Sequence, residues 1–97
     1  MSWFVEKTPE VAKAFGELRS SVYKEGALDA RTKELISIAA SVLMRCEKCT
    51  EIHAQRARKN GATDEQIAEA IACAMFVAAG SQFSWSEVYD KVFDEKE

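Results

Sequence analysis

Residues 29–61 read DARTKELISIAASVLMRCEKCTEIHAQRARKNG, and whether this stretch is one helix or two decides the fold. Asp29 is a helix N-cap type, and Leu35, Ile36, Ile38, Ala39, Val42 and Leu43 follow it as a segment that is apolar nearly all round, the pattern of a central helix. From Cys46 onward the pattern changes. Cys46, Cys49, His53 and Ala57 share one helical face, Glu47, Glu51 and Arg58 share another, and Asn60-Gly61 supplies a C-terminal stop. One straight helix over residues 30–60 would run about 45 Å, longer than a compact domain of this size. The chain is therefore expected to reverse near Met44-Arg45, with the two helices packed antiparallel.

Helix punctuation continues on both sides, and strand punctuation does not appear. Upstream, Thr8 as N-cap and Pro9 at the first helical position open a helix whose Val11, Phe15, Leu18 and Val22 form one stripe, ending near Gly26. Downstream, Thr63 with Gln66 forms a capping-box pattern for a helix bearing Ile67, Ala70, Ile71, Ala74, Met75 and Ala78 that stops at Gly80. Ser84 with Glu87 repeats the pattern and opens a last helix with Trp85, Val88, Tyr89, Val92 and Phe93 at three- and four-residue spacing. The expectation is an all-α, single-domain bundle of about five helices spanning residues 1–97, with no internal repeat or linker.

Composition narrows the classes of function. The chain has 97 residues, one proline, four glycines and a formal net charge of −3, which gives no basic face to attract nucleic acid or an anionic membrane. Neither is expected as a partner. Met1-Ser-Trp-Phe-Val-Glu-Lys7 does not resemble an export signal, and the longest apolar run, Ala70 to Gly80, is shorter than the roughly 20 residues a membrane span needs. A soluble, cytoplasmic protein is expected. A chain this short buries only about 60–65% of its unfolded surface, so self-association would add stability.

The chemistry concentrates in Arg45-Cys-Glu-Lys-Cys-Thr-Glu-Ile-His53. In a reducing compartment a Cys-x-x-Cys pair is more often catalytic or metal-binding than a structural staple, and two thiols on one helical face can close into a disulfide with little backbone movement. The attacking species is a thiolate, and His53, at i+4 from Cys49, is placed to take its proton. Glu34 lies about as far before the reversal as His53 lies after it, so at about 1.5 Å of rise per residue the two face each other across the hairpin. A carboxylate on one imidazole nitrogen fixes the tautomer and raises the basicity of the other. The candidate catalytic set is Glu34, Cys46, Cys49 and His53, with Cys49 as the base-activated thiol and Cys46 as its disulfide partner. Cys46 competes for that role through its position at a helix start.

These residues carry a resemblance to the carboxymuconolactone decarboxylase superfamily, in its alkylhydroperoxidase D-like branch. Glu34, Cys46-x-x-Cys49 twelve residues on, His53, and the helix opening Gly61-Ala-Thr-Asp-Glu-Gln-Ile67 stand in that branch's order. The resemblance covers roughly residues 14–88. It implies an all-helical subunit that assembles into trimers or hexamers and reduces a hydroperoxide or a partner's disulfide, with a thiol reductant or redox partner protein restoring the dithiol. Where the best-characterised members have a second histidine, directly before the second cysteine, this chain has Lys48. Lysine can lower a neighbouring thiol's pKa by its charge but does not shuttle protons near pH 7, which weakens the expectation of efficient peroxidase turnover. The decarboxylases that name the superfamily usually lack the cysteine pair, so lactone decarboxylation is not implied.

The same residues admit other readings. Cys46, Cys49, His53 and Glu34 supply acceptable zinc ligands, but zinc sites commonly split their ligands into separated pairs, and here three crowd one helix. Haem attachment fails because Thr50 follows Cys49 where a histidine is required. No cofactor is called for. A non-catalytic helical oligomer is the remaining alternative. Cys73, in the alanine-rich helix, reads as a core residue. Trp85, Tyr89 and Phe93 read as core or subunit interface, and Arg56, Arg58 and Lys59 as a solvated face offset by Glu47 and Glu51.

Overall fold

The computed structural model describes residues 2–94, and every regular element among them is helical. They are α1 (Ser2–Lys7), α2 (Pro9–Tyr23), α3 (Ala30–Leu43), α4 (Glu47–Lys59), α5 (Asp64–Ser81) and α6 (Ser86–Asp94), with a 3-10 turn, Gln82–Trp85, between α5 and α6.

The α3–α4 hairpin forms as the sequence implies. Asp29 caps α3 by accepting the Thr32 backbone N–H at 2.7 Å. Hydrogen bonds from Thr32, side chain first and backbone second, hold the Asp29 carboxyl below its ordinary pKa. At the far end the Cys46 N–H donates to the Ser41 carbonyl and the Arg45 N–H to the Val42 carbonyl, both about 3 Å, which is a Schellman closure with Arg45 at its left-handed position (φ 57°). The end of α4 repeats the motif with Gly61 (φ 89°), where the Ala62 N–H donates to Ala57 and the Gly61 N–H to Arg58.

Packing between the hairpin and α5 builds a small core. Ile38, Ala57 and Ile67 are buried together, with Leu35, Ala54, Ala62 and Ile71 packed around them. The small side chain of Ala57, with no exposed area, lets α4 lie close to α3. The capping box that opens α5 is complete, the Thr63 N–H donating to Gln66 Oε1 at 3.0 Å and the Gln66 N–H to Thr63 Oγ1 at 3.1 Å.

Several expected details are corrected. The short helix α1 precedes Pro9, and Thr8 does not cap α2 but donates its hydroxyl to the Phe4 carbonyl, joining the two helices. Helix α2 ends at Tyr23, short of Gly26. Gly80 does not stop α5, because it keeps helical geometry and the chain runs on through the 3-10 turn. The Ser84 hydroxyl donates back to the Ser81 carbonyl instead of capping α6. The result is a helical rod from Asp64 to Asp94 that is long and apolar enough, by length and composition, to cross a membrane. Charges recur along its last third at Glu87, Asp90, Lys91 and Asp94, so that part is two-faced rather than uniformly apolar.

The chain is extended, not compact. Its radius of gyration is 18.7 Å, against about 12–13 Å for a compact chain of this length. Its accessible surface is 7888 Å², against about 5,500 Å² for a folded monomer of its mass. The excess is apolar: the α2 stripe of Val11, Phe15, Leu18 and Val22 and the α6 face of Val88, Tyr89, Val92 and Phe93 are all exposed. Replacing Gly61 by alanine forces a Cβ into the left-handed region and is expected to destabilise the protein by about 1–2 kcal/mol, whereas Arg45→Gly should cost far less. Chemical denaturation of the two variants checks this.

Candidate active site

Helix α3 supplies Glu34, and α4 supplies Cys49 and His53, with Cys46 as the N-cap residue. Glu34 is 2% exposed. His53 Nδ1 lies 3.0 Å from Glu34 Oε1 and 3.5 Å from Oε2. A carboxylate that accepts this bond pairs with the tautomer whose hydrogen is on Nδ1, which leaves Nε2 without one. The hairpin thus brings together the acid and the imidazole that are 19 residues apart in sequence.

Cys46 and Cys49 are joined in a disulfide with a Cα–Cα separation of 5.3 Å, inside the usual range. Cys46 Sγ also accepts the Cys49 backbone N–H at 3.2 Å, and the Thr50 hydroxyl donates to the Cys46 carbonyl at 2.9 Å. The two sulfurs open to different surroundings. Cys49 and His53 share a groove of about 370 Å³ between α2 and α4, while Cys46 lines a wider depression with Ser41 and Thr50. Lys48 is exposed and takes part in neither ion pair among the described residues.

Tyr23, which no sequence pattern singled out, completes the surroundings of His53. Its ring stacks on the imidazole with centroids 5.8 Å apart and planes 28° from parallel. Its hydroxyl is hydrogen-bonded to Ser37 Oγ. Ser37 spends its own proton on the Lys33 carbonyl at 2.9 Å, so Tyr23 is the donor. In sequence Tyr23 is only the residue after an apolar stripe, and Ser37 only a polar position on α3.

Other residues fall away from this cluster or change character. Cys73 is exposed rather than in the core, and it is the free cysteine. Trp85, Tyr89 and Phe93 belong to no core of this chain. Arg58 pairs with Asp64 at 3.3 Å. Arg56 does not lie on a fully solvated face; it is half-buried beside His53 in the same groove, where Arg19 of α2 also lies. Among the described residues no group of three or more His, Cys, Asp or Glu is arranged to hold a metal ion.

An all-helical chain with a Cys-x-x-Cys pair on the same helix hairpin as a carboxylate–imidazole pair defines a class of small thiol-bearing helical proteins. The chain belongs to the carboxymuconolactone decarboxylase family, whose sequence profile matches residues 9–87. It is 43% identical over 82 residues, 84% of its length and 74% of the relative's, to the "uncharacterized protein 4 in cox locus" of Paracoccus denitrificans. Its fold is similar to a crystal structure from Methanobacterium thermoautotrophicum with a TM-score of 0.81 at 43% identity, covering 89% of this chain and 97% of that one. It is also similar, with a TM-score of 0.64 at 33% identity over 88% and 95% of the two chains, to a Thermotoga maritima protein of this family with a suggested role in antioxidative response.

After mild oxidation the denatured protein is expected to titrate one thiol, Cys73, and after full reduction three. Ellman titration before and after reduction checks it.

Proposed function

We propose that this chain is a thiol-dependent oxidoreductase that reduces a hydroperoxide, or the disulfide of a partner, at the expense of the Cys46–Cys49 dithiol. The observation that carries this reading is the 3.0 Å contact between His53 Nδ1 and buried Glu34, with His53 and Cys49 lining one groove. Glu34 holds the tautomer that leaves Nε2 basic, and Nε2 takes the Cys49 proton one helical turn away.

With a hydroperoxide, the Cys49 thiolate attacks the terminal oxygen, an S–O bond forms and the O–O bond breaks. The departing alkoxide collects the proton held on His53 and leaves as an alcohol. Cys49 is now a sulfenic acid. The Cys46 thiolate attacks its sulfur, the S–S bond forms, and hydroxide leaves as water with the proton Cys46 gave up. In sum, two thiols and ROOH become a disulfide, ROH and water. An external dithiol then reduces Cys46–Cys49 by exchange. With a disulfide acceptor the same thiolate attacks sulfur, and the acceptor leaves as two thiols.

Assembly belongs to the same proposal. The exposed apolar face of α6 is more than a monomer of this mass ordinarily presents, and a homo-oligomer, of the trimer or hexamer kind, would cover it. Sedimentation equilibrium should show more than one chain per particle, and Val88→Glu with Val92→Glu on the α6 face should shift the particle toward the monomer.

Turnover of a hydroperoxide and of a disulfide substrate, with dithiothreitol as reductant, tests the chemistry. Cys49→Ser should abolish it. His53→Gln and Glu34→Gln should each lower kcat by about 10²–10⁴-fold, the ordinary value of a positioned general base. In Cys46→Ser, sulfenic acid should accumulate on Cys49. Variants that match the wild type across pH 6 to 8 would exclude the relay, and stoichiometric zinc released by thiol reagents would favour a metal-binding protein instead.

A further inference from the structure

We infer that the groove beside Cys49 selects an acceptor that carries a carboxylate on an apolar arm, the guanidinium groups of Arg19 and Arg56 taking the carboxylate. This rests on the redox reading above and names the substrate class for the same site.

The groove has two kinds of wall. Phe15, Leu18, Val22 and Ile52 make its lining apolar, while Cys49 and His53 bring the reacting groups to it. Arg19 and Arg56 line this groove and also an adjoining cavity of about 400 Å³, in which Lys59 is a third cation. The acid lining either cavity is Glu34, whose carboxylate is engaged by His53. Among the described residues neither Arg19, Arg56 nor Lys59 is in an ion pair. In a chain of formal net charge −3, this is a local excess of unneutralised cation.

Arg19 is exposed on α2 and Arg56 half-buried on α4. The Arg19 guanidinium carbon lies 5.4 Å from the centroid of the Phe15 ring, a cation–π arrangement at the apolar wall. Arg56 stands three residues after His53 on α4, on the neighbouring turn of the same face, and is half-buried. Planar guanidinium groups match carboxylates in two-point geometry, and an apolar lining with a few placed polar groups is the usual build of a small-molecule site. An acceptor whose O–O bond meets Cys49 Sγ can lay its apolar arm along Phe15, Leu18, Val22 and Ile52 and leave its carboxylate between Arg19 and Arg56. Its reduction balances as written for ROOH above, the carboxylate taking no part in electron transfer.

Linoleic acid hydroperoxide and its methyl ester differ only in this carboxylate. The acid should be turned over with a kcat/KM about tenfold or more above the ester, one charge-assisted hydrogen bond's worth, and the ratio should fall toward unity in the Arg19→Gln/Arg56→Gln double variant. Equal kcat/KM for acid and ester in the wild type overturns the inference and leaves the redox reading intact. A second measurement needs no turnover. Octanoate, but not octanol, should slow iodoacetamide alkylation of Cys49 in the reduced protein, read at that residue by mass spectrometry, and the double variant should lose the protection. Protection by octanoate without turnover of any hydroperoxide would uphold the carboxylate site and overturn the peroxidase reading. Absence of protection, with Cys49 shielded in the assembled protein, would assign the groove to a second copy of the chain and overturn the inference.

Discussion

A carboxylate buried to 2% exposure between two helices is the constraint around which this chain is arranged. Removing a carboxyl group from water is costly unless hydrogen bonds replace the hydration. The hairpin meets that requirement with His53, and no buried side-chain polar atom among the described residues is left without a partner. For His53 to reach Glu34, α3 and α4 must be antiparallel and in one register, and that register depends on the turn through Arg45. The Schellman closure at Met44–Cys46 thus does two things: it reverses the chain, and it leaves Cys46 at the N-terminus of α4 beside Cys49.

The hairpin was legible in the sequence because its signals are local and redundant. Asp29 and Asn60-Gly61 mark its outer ends, and the change from an all-round apolar segment to a two-faced one at Cys46 marks its turn; length alone would not, because the rod from Asp64 to Asp94 is 31 residues long. Glu34 opposite His53 follows from counting rise on either side of the turn. What the sequence left open depends on neighbours. The period of Val11, Phe15, Leu18 and Val22 states that α2 is two-faced but not what covers it, and within this chain little does. Gly80 carries a stop signal only if the chain there adopts a left-handed conformation; it stays helical, and α5 continues. Cys73 sits in an apolar run that favours burial, yet the face it occupies is turned away from α3 and α4. Tyr23 and Ser37 are adjacent only after α2 folds back over α3, so no spacing rule reveals their bond.

The extended shape follows from the same distribution of side chains. The buried apolar residues of the core, Ile38, Ala57, Ile67 and Ala74, lie on the central three helices, and two of the four are alanine. That core is thin for 97 residues, and the larger apolar side chains, the aromatics above all, are placed on α1, α2, the rod's far end and α6. Burying such faces would contribute about 25 cal/mol per Å² of apolar area.

In the proposed chemistry, the division of labour between the two sulfurs would turn on two opposing stabilisations of a thiolate. Cys46 receives a backbone N–H and the positive end of the α4 dipole. A sulfur stabilised in this way is more often ionised but a poorer nucleophile, since nucleophilicity falls with pKa, and it is the better leaving group. Cys49 lacks that stabilisation but shares its groove with the imidazole. A thiol deprotonated by an adjacent base at the moment of attack keeps more of its intrinsic nucleophilicity than one held ionised by a helix terminus. When an external thiolate regenerates the pair, it is met best by attack on Cys49, releasing Cys46 as the stabilised leaving thiolate. Under the proposed function, the same asymmetry would make Cys49 the attacking sulfur toward the oxidant and the attacked sulfur toward the reductant, so that both half-reactions would use one groove.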